Sequence, residues 1–456
     1  MTTLTVFGAG GDLAARYLFP ALADLLAAGR LPGDFRLRGA DRRDWDDDSF
    51  RHHVRAAVAG HPPGGARDTA AELARRADYA VTDVTDAAAV AEALKNLDGP
   101  LVVYLALPAR LFEPCVRALR GAGLPPDSRV VVEKPFGVSR ESARTLNALL
   151  SDTVPETQVF RIDHFLAKQT VQNVLGLRLA NRVFESVWNA QNVERVEIAW
   201  EETLALEGRA GYYDRSGALR DMLQNHLLQL LCLVAMEPPR TLGERDLRDR
   251  KVDVLRSIQP TDPEAAGRHS VRARYTAGTV DGQRVPDYTG EVGVDPANRT
   301  ETFAEITVHV DNWRWAGVPF RLRSGKAFGR PRKEIAVHFR PVPHLAFDQP
   351  HQAVPNVLRL TLNPDTITLD VNLNGSGDPF DLDPAALRAD LAPQELPAYA
   401  RLLLDVLSGD PSLFIRGDEA EEAWRVVEPV LEAWARDRVP LLTYPAGSTG
   451  PAPAAG

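Results

Sequence analysis

The first 160 residues alternate short apolar runs with helical patterns, and this alternation leaves few folds open. Leu4–Phe7 reads as a strand, followed by the turn Gly8-Ala9-Gly10-Gly11-Asp12 and a helical stretch with Leu18, Leu22, Leu25 and Leu26 on one face. Pro20 inside that stretch predicts a kink or a restart. Further strands are predicted at Phe35–Arg38, around Val81, and at Leu101–Ala106, Arg129–Glu133 and Gln158–Ile162. Helices near Asp46–Val58, Thr69–Ala77, Val90–Leu97, Leu111–Arg120 and Ser142–Leu150 separate them. The pattern predicts a doubly wound, parallel α/β sheet.

The remainder reads differently. A long helix is predicted from about His164 to Asn181, then an alternating strand through Val196, Ile198 and Trp200, then an apolar helix over Ala218–Ala235. Strands dominate from Val271: Phe303–Val310, Val318–Leu322, Ile335–Phe339, Val357–Leu362 and Thr366–Val371. Helices return near Pro397–Leu407 and Asp418–Ala435. An α+β domain with a large, mainly antiparallel sheet is expected. The division expected is 1–163, 164–445 and a flexible tail at 446–456, which is rich in Gly, Pro, Ser and Ala.

Charge narrows the partners. Asp plus Glu is 62 against 53 for Lys plus Arg, a net charge of −9, which argues against nucleic acid as the main partner but not against a small basic pocket. No apolar run reaches the roughly 18 residues of a membrane span. The N-terminus reads as a strand without a secretory pattern, so a cytoplasmic protein is expected. Cys115 and Cys232 fall in apolar helical patterns and read as core residues, and no metal site is expected. Only six basic residues are lysine: Lys95, Lys134, Lys168, Lys251, Lys326 and Lys333. A chain so biased to arginine retains lysine where a compact ammonium differs from a planar guanidinium.

The Gly-rich turn joins a strand to a helix, where glycines let a pyrophosphate approach the helix N-terminus. This makes the first domain a Rossmann-type candidate for dinucleotide binding. At the end of the second strand, Asp41 favours a ribose 2′-hydroxyl and NAD, whereas Arg42 favours a 2′-phosphate and NADP. The balance is set toward NADP, with NAD possible.

Arg161-Ile162-Asp163-His164-Phe165-Leu166-Ala167-Lys168 falls where a strand is predicted to become a helix. With Asp163 as cap, His164 and Lys168 lie one turn apart beside the positive end of the dipole, an anion site. The helix Ala218–Ala235 holds Asp221, Gln224, Asn225, His226 and Gln229 among leucines, which favours a wet cavity. A histidine there suits a general base. Lys134, in Glu133-Lys134-Pro135-Phe136-Gly137, and Lys326, in Arg323-Ser324-Gly325-Lys326, end strands.

Together FGAGGDLAARYLFPAL, VVEKPFG, RIDHFLAKQTVQNVL, EGRAGYYDRSGALRDMLQNHLLQLL, GVPFRLRSGK and GSTGP resemble the glucose-6-phosphate dehydrogenase family over nearly the whole chain. The resemblance implies oxidation of a hexose 6-phosphate at C1 to a lactone, with hydride passing to NADP or NAD. It implies His226 as the base and Asp163 as the carboxylate that orients it. His164 and Lys168 resemble phosphate ligands, and Lys134, Glu202, Asp221 and Lys326 resemble groups that hold the sugar or its phosphate. Gly8, Gly11, Asp12, Leu13 and Arg42 fall on the dinucleotide motif, with Lys134 close to the cofactor. A sugar phosphate partner and a homodimer or homotetramer are expected from the family. Phe165 stands where the family usually has tyrosine, which opens an alternative, another hexose phosphate or an amino sugar phosphate as substrate, and Asp41 beside Arg42 opens an NAD-preferring variant.

Overall fold

The structure, a computed structural model, describes residues 2–60, 67–206, 208, 210–260, 262–347, 353–375, 377 and 380–452. The chain forms two compact units. Met1–Lys168, Pro239–Arg248 and Gln394–Glu421 make one; Gln169–Pro238, Asp249–Pro393 and Glu422–Gly456 make the other.

In the first unit, six strands among the described residues form a parallel sheet: β1 (Thr2–Phe7), β2 (Phe35–Asp41), β3 (Ala77–Val81), β4 (Leu101–Leu105), β5 (Arg129–Glu133) and β6 (Val159–Ile162). Their order is β3-β2-β1-β4-β5-β6. This is the doubly wound, Rossmann-type sheet that the alternation predicts. Strand β4 is buried along its whole length, as its unbroken apolar run requires. The order reverses at β1, so a crevice opens at the carboxyl ends of β1 and β4.

The restart predicted at Pro20 is present: a π-helical turn, Ala14–Leu18, leads into the α-helix Phe19–Ala27, with Pro20 in its first turn. Leu22, Leu25 and Phe50 pack into this unit's core with Leu4 and Val6. Ala400, Leu402, Leu403 and Val406 join the same core from the helix Ala398–Ser408. Arg129 locks that helix by donating to the carbonyls of Val406 and Leu407 at 2.9 and 2.8 Å. Buried Arg161 pairs with Glu156 at 2.7 Å and donates to Asn147.

In the second unit, nine strands among the described residues form one mixed sheet. They are β7 (Val193–Glu201), β8 (Ser270–Thr276), β11 (Phe303–His309), β12 (Pro319–Gly325), β13 (Arg332–Phe339), β14 (Val357–Leu362), β15 (Asp365–Asn374), β16 (Leu382–Asp390) and β17 (Leu441–Pro445), with β9 (Gly278–Val280) and β10 (Gln283–Val285) paired apart. The order is β16-β15-β14-β13-β7-β12-β11-β8-β17. Only β7 with β12 and β8 with β17 run parallel among the described pairs, so the mainly antiparallel expectation holds. Tyr213, Tyr275, Tyr288, Phe303, Phe328 and Tyr444 centre a core on this sheet.

Beyond Pro445, Ala446 and Gly447 donate to the carbonyls of Thr276 and Ala327, at 3.0 and 2.8 Å. Residues 453–456 of the expected tail, and Glu207 and Arg209 of the EGRAGYY stretch, lie outside the described residues. Among the described residues no helix is long and apolar enough to cross a membrane. Cys115 and Cys232 are buried, as expected of core residues.

Candidate active site

The first unit carries the Gly-rich turn at its crevice. Gly8 has φ +86°, and a Cβ there would lie 2.3 Å from the carbonyl oxygen of Ala106 at the end of β4. Only glycine lets the two strand ends approach so closely. Gly8 donates to Ala40 at 2.8 Å and Gly11 to Gly8 at 2.9 Å, which closes the turn. Asp12 and Leu13 begin the helix, whose first N–H groups have no acceptor within it. A tight, glycine-rich turn at a helix N-terminus fits a pyrophosphate.

Charges at the end of β2 have separate duties. Arg38 pairs with Asp78 and donates to the carbonyl of Ala93, so it is consumed by the fold. Asp41 accepts the N–H groups of Gly10 and Arg42, at 3.1 and 2.7 Å. Arg42 is exposed. Arg43 lies over the Trp45 ring at 4.9 Å.

At the end of β5, Glu133 is buried and accepts from the hydroxyls of Tyr104 at 2.5 Å and Tyr399 at 3.3 Å. Burial pushes its carboxyl up to about 7, against the pull of those hydroxyls and of Lys134. Tyr399 stacks on His164, centroids 5.8 Å apart, and on Tyr17 at 5.0 Å. Nothing in the local pattern marks Tyr399 as a neighbour of His164, because 235 residues of chain separate them.

The helix predicted to begin at His164 begins instead at Gln169. Residues 164–168 form a compact turn in which buried Asp163 accepts the Phe165 N–H at 2.9 Å. Leu166 donates to Asp163 O, and Lys168 to Phe165 O, both at 3.1 Å. Asp163 therefore caps a turn, and His164 and Lys168 do not share a helix face. The Asp–amide bond competes with helix formation, as such side chains do. Phe165 is buried, and the Lys168 ammonium sits 4.6 Å from its ring centroid.

The second unit carries His226, Asp221, Glu202 and Lys326. The apolar stretch predicted as one helix is π-helical over Leu219–Leu227 and α-helical over Leu228–Ala235. His226 is 1% exposed, and Asp221 accepts from Tyr212 at 3.3 Å. Four of the five polar residues, Gln224, Asn225, His226 and Gln229, are buried, and two of these bond within the interior. Gln229 accepts from buried Lys251 at 3.0 Å, and Asn225 bonds the N–H of His226 and the carbonyl of Arg220.

Lys326 and Glu202 come together as an ion pair of 3.0 Å. Trp200 donates to Glu202 at 3.1 Å, and Lys333, over the Trp200 ring, lies 3.9 Å from it. Burial raises the Glu202 carboxyl, but Lys326, Trp200 and Lys333 outweigh it and hold the group ionised below the usual range. The Lys326 ammonium also lies 5.1 Å from the centroid of the Tyr213 ring. Lysine scarcity could have flagged Lys333 beside Lys326.

Two family models match this chain end to end. Residues 5–173 match the glucose-6-phosphate dehydrogenase NAD binding domain, and 175–456 the glucose-6-phosphate dehydrogenase C-terminal domain. The chain belongs to the glucose-6-phosphate dehydrogenase family. Its membership makes it an oxidoreductase with a nicotinamide-binding domain. A glucose-6-phosphate 1-dehydrogenase of Treponema pallidum is 42% identical, over 98% of this chain and 92% of its own. A solved glucose-6-phosphate dehydrogenase in complex with glucose 6-phosphate is 32% identical with a TM-score of 0.89, covering 100% of this chain and 96% of that one. The glucose-6-phosphate 1-dehydrogenase of Mycobacterium avium gives 36% and 0.87, covering 99% and 95%.

Proposed function

We propose that this glucose-6-phosphate dehydrogenase family member oxidises glucose 6-phosphate at C1 to the lactone, with NADP as preferred acceptor and NAD as a possible one. The observation that carries the reading is a family match over both domains, in a chain that holds Asp163, His164, Lys168, His226, Lys134, Asp221 and Lys326 on the motifs quoted above, with Glu202 paired to Lys326.

Each group has a role in the reading. His226 takes the proton of the C1 hydroxyl, and the electron density left on oxygen drives hydride off the same carbon. Asp163 orients that imidazole. His164 and Lys168 hold the phosphate, and contacts so far from C1 supply the binding energy that fixes the reacting geometry. Glu202, Asp221, Lys134 and Lys326 hold the remaining oxygens; the Glu202–Lys326 pair keeps one acceptor and one donor in fixed relation. Gly8, Gly11, Asp12, Leu13, Arg42 and Lys134 are the residues that would hold the dinucleotide. When bound, the nicotinamide supplies the hydride acceptor.

NADP preference is supported by the unequal state of the two charges at β2. Asp41 already accepts two N–H groups, whereas Arg42 is exposed. The reading assigns residues 1–163 to the cofactor and 164–445 to the substrate, in a homodimer or homotetramer of the cytoplasm. Purified protein given glucose 6-phosphate is expected to reduce NADP, and NAD less efficiently, as followed by absorbance of the reduced nicotinamide. No reduction of either coenzyme overturns the function, and better kcat/KM with NAD overturns the preference.

A further inference from the structure

Near the end of the helical run Ala210–Ala218, just before the π-helical Leu219–Leu227, the backbone breaks at Gly217, with φ 67° and ψ 174°. A Cβ there would lie 2.3 Å from Oε1 of Glu301. That same oxygen accepts the N–H of Leu219 at 3.0 Å, and the Glu301 carbonyl accepts the N–H of Ala218 at 3.2 Å. The carboxylate therefore sits in the notch left by glycine and caps the helix that carries Asp221 and His226.

Glu301 is 6% exposed, and burial raises its carboxyl, against the pull of the Leu219 N–H, Arg220 and Arg272. Ser, Thr or Asn caps a helix without the penalty of burying a carboxyl group. Stability alone is thus a poor account of glutamate here. Reach is a better one: Glu301 lies on a segment that also holds the rest of this site. The Thr300 hydroxyl donates to Asp214 O at 2.5 Å, and the Thr302 carbonyl accepts the N–H of Lys326 at 3.0 Å. One three-residue run thereby ties the start of the His226 helix to the strand end that presents Lys326.

We infer that Glu301 is a positioning residue for the reaction, setting the placement of the Asp221–His226 helix relative to Lys326 through the notch at Gly217. The inference rests on His226 acting as the base. Small displacements of a catalytic group are expensive: about 1 Å can cost on the order of 10²-fold in rate.

The test compares Glu301→Gln, which keeps an accepting oxygen in place, with Glu301→Asp, which withdraws it by one methylene, and Glu301→Ala. The readouts are kcat, KM for glucose 6-phosphate and for NADP, and the isotope effect with substrate deuterated at C1, all well below the melting temperature. The Gln variant is expected within about 3-fold of the parent kcat. Asp and Ala are expected to lose about 10- to 100-fold, with KM for NADP unchanged and a larger isotope effect. An Asp variant that matches Gln, or equal loss in Gln and Asp, overturns the role; this pair decides should Ala fail to fold. The base assignment is tested separately by His226→Asn, and near-normal turnover there defeats that reading whatever the Gln to Asp ratio.

Discussion

Asp41 accepts the backbone N–H of Gly10 at 3.1 Å, so the acidic residue at the end of β2 is tied to the very turn that would receive the pyrophosphate. Its carboxylate is partly spent, and the neighbouring Arg42 is exposed. Arg42→Ala is therefore expected to raise KM for NADP about 10-fold or more while KM for NAD moves little, the scale of one charge-assisted bond. Steady-state kinetics with both coenzymes check this. Equal losses mean that Arg42 does not read the 2′-phosphate.

His226 is buried on a π-helical run, a geometry that concentrates at functional sites. His226→Asn is expected to lower kcat by about 10²–10⁴ while the melting temperature and binding of the sugar phosphate change little. Calorimetric titration with glucose 6-phosphate separates the two effects. A kcat near that of the parent removes His226 from the base role.

Phe165 is buried with Lys168 over its ring. Phe165→Tyr adds a hydroxyl beside His164 and Lys168, the two groups proposed to hold the phosphate. KM for glucose 6-phosphate is expected to fall about 10-fold, since a hydrogen bond to a charged group contributes roughly 1.5–3 kcal/mol. An unchanged or higher KM shows that this ring does not face the phosphate.

Glu133 titrates near 7 in the folded protein against an ordinary value of 4.5, because burial disfavours its charge. The folded state thus binds the proton more tightly than the unfolded state. Its contribution favours folding at low pH and is lost as pH rises from about 4.5 through about 7. Glu133→Gln is expected to flatten this part of the profile, so that melting temperature falls less between pH 5.5 and 7.5 than in the parent (roughly the span of that titration). A parallel fall in both proteins shows that Glu133 does not set the slope.

Local pattern reached far into this molecule. The six parallel strands, the restart at Pro20 and the mainly antiparallel second sheet follow from period and turn chemistry, which neighbouring residues decide. The helix Glu244–Ser257 was less legible, because charged residues crowd its sequence, ERDLRDRKVDVLRS, and blur the apolar stripe. The helix expected from His164 starts five residues later, because Asp163 bonds the Phe165 amide and turns the chain first.

What the sequence by itself determined is the family and the two kinds of sheet, since motif order and hydrophobic period are properties of the chain alone. Tertiary structure decided which polar groups are tied to one another and which are brought together at the site. Arg38 is consumed by Asp78, Gln229 by Lys251 and Asp41 by Gly10, while Lys326 is held beside Glu202 and Tyr399 against His164. Each of those pairings joins residues at least 22 positions apart. Electrostatics and stacking depend on distance through space, which no local pattern encodes.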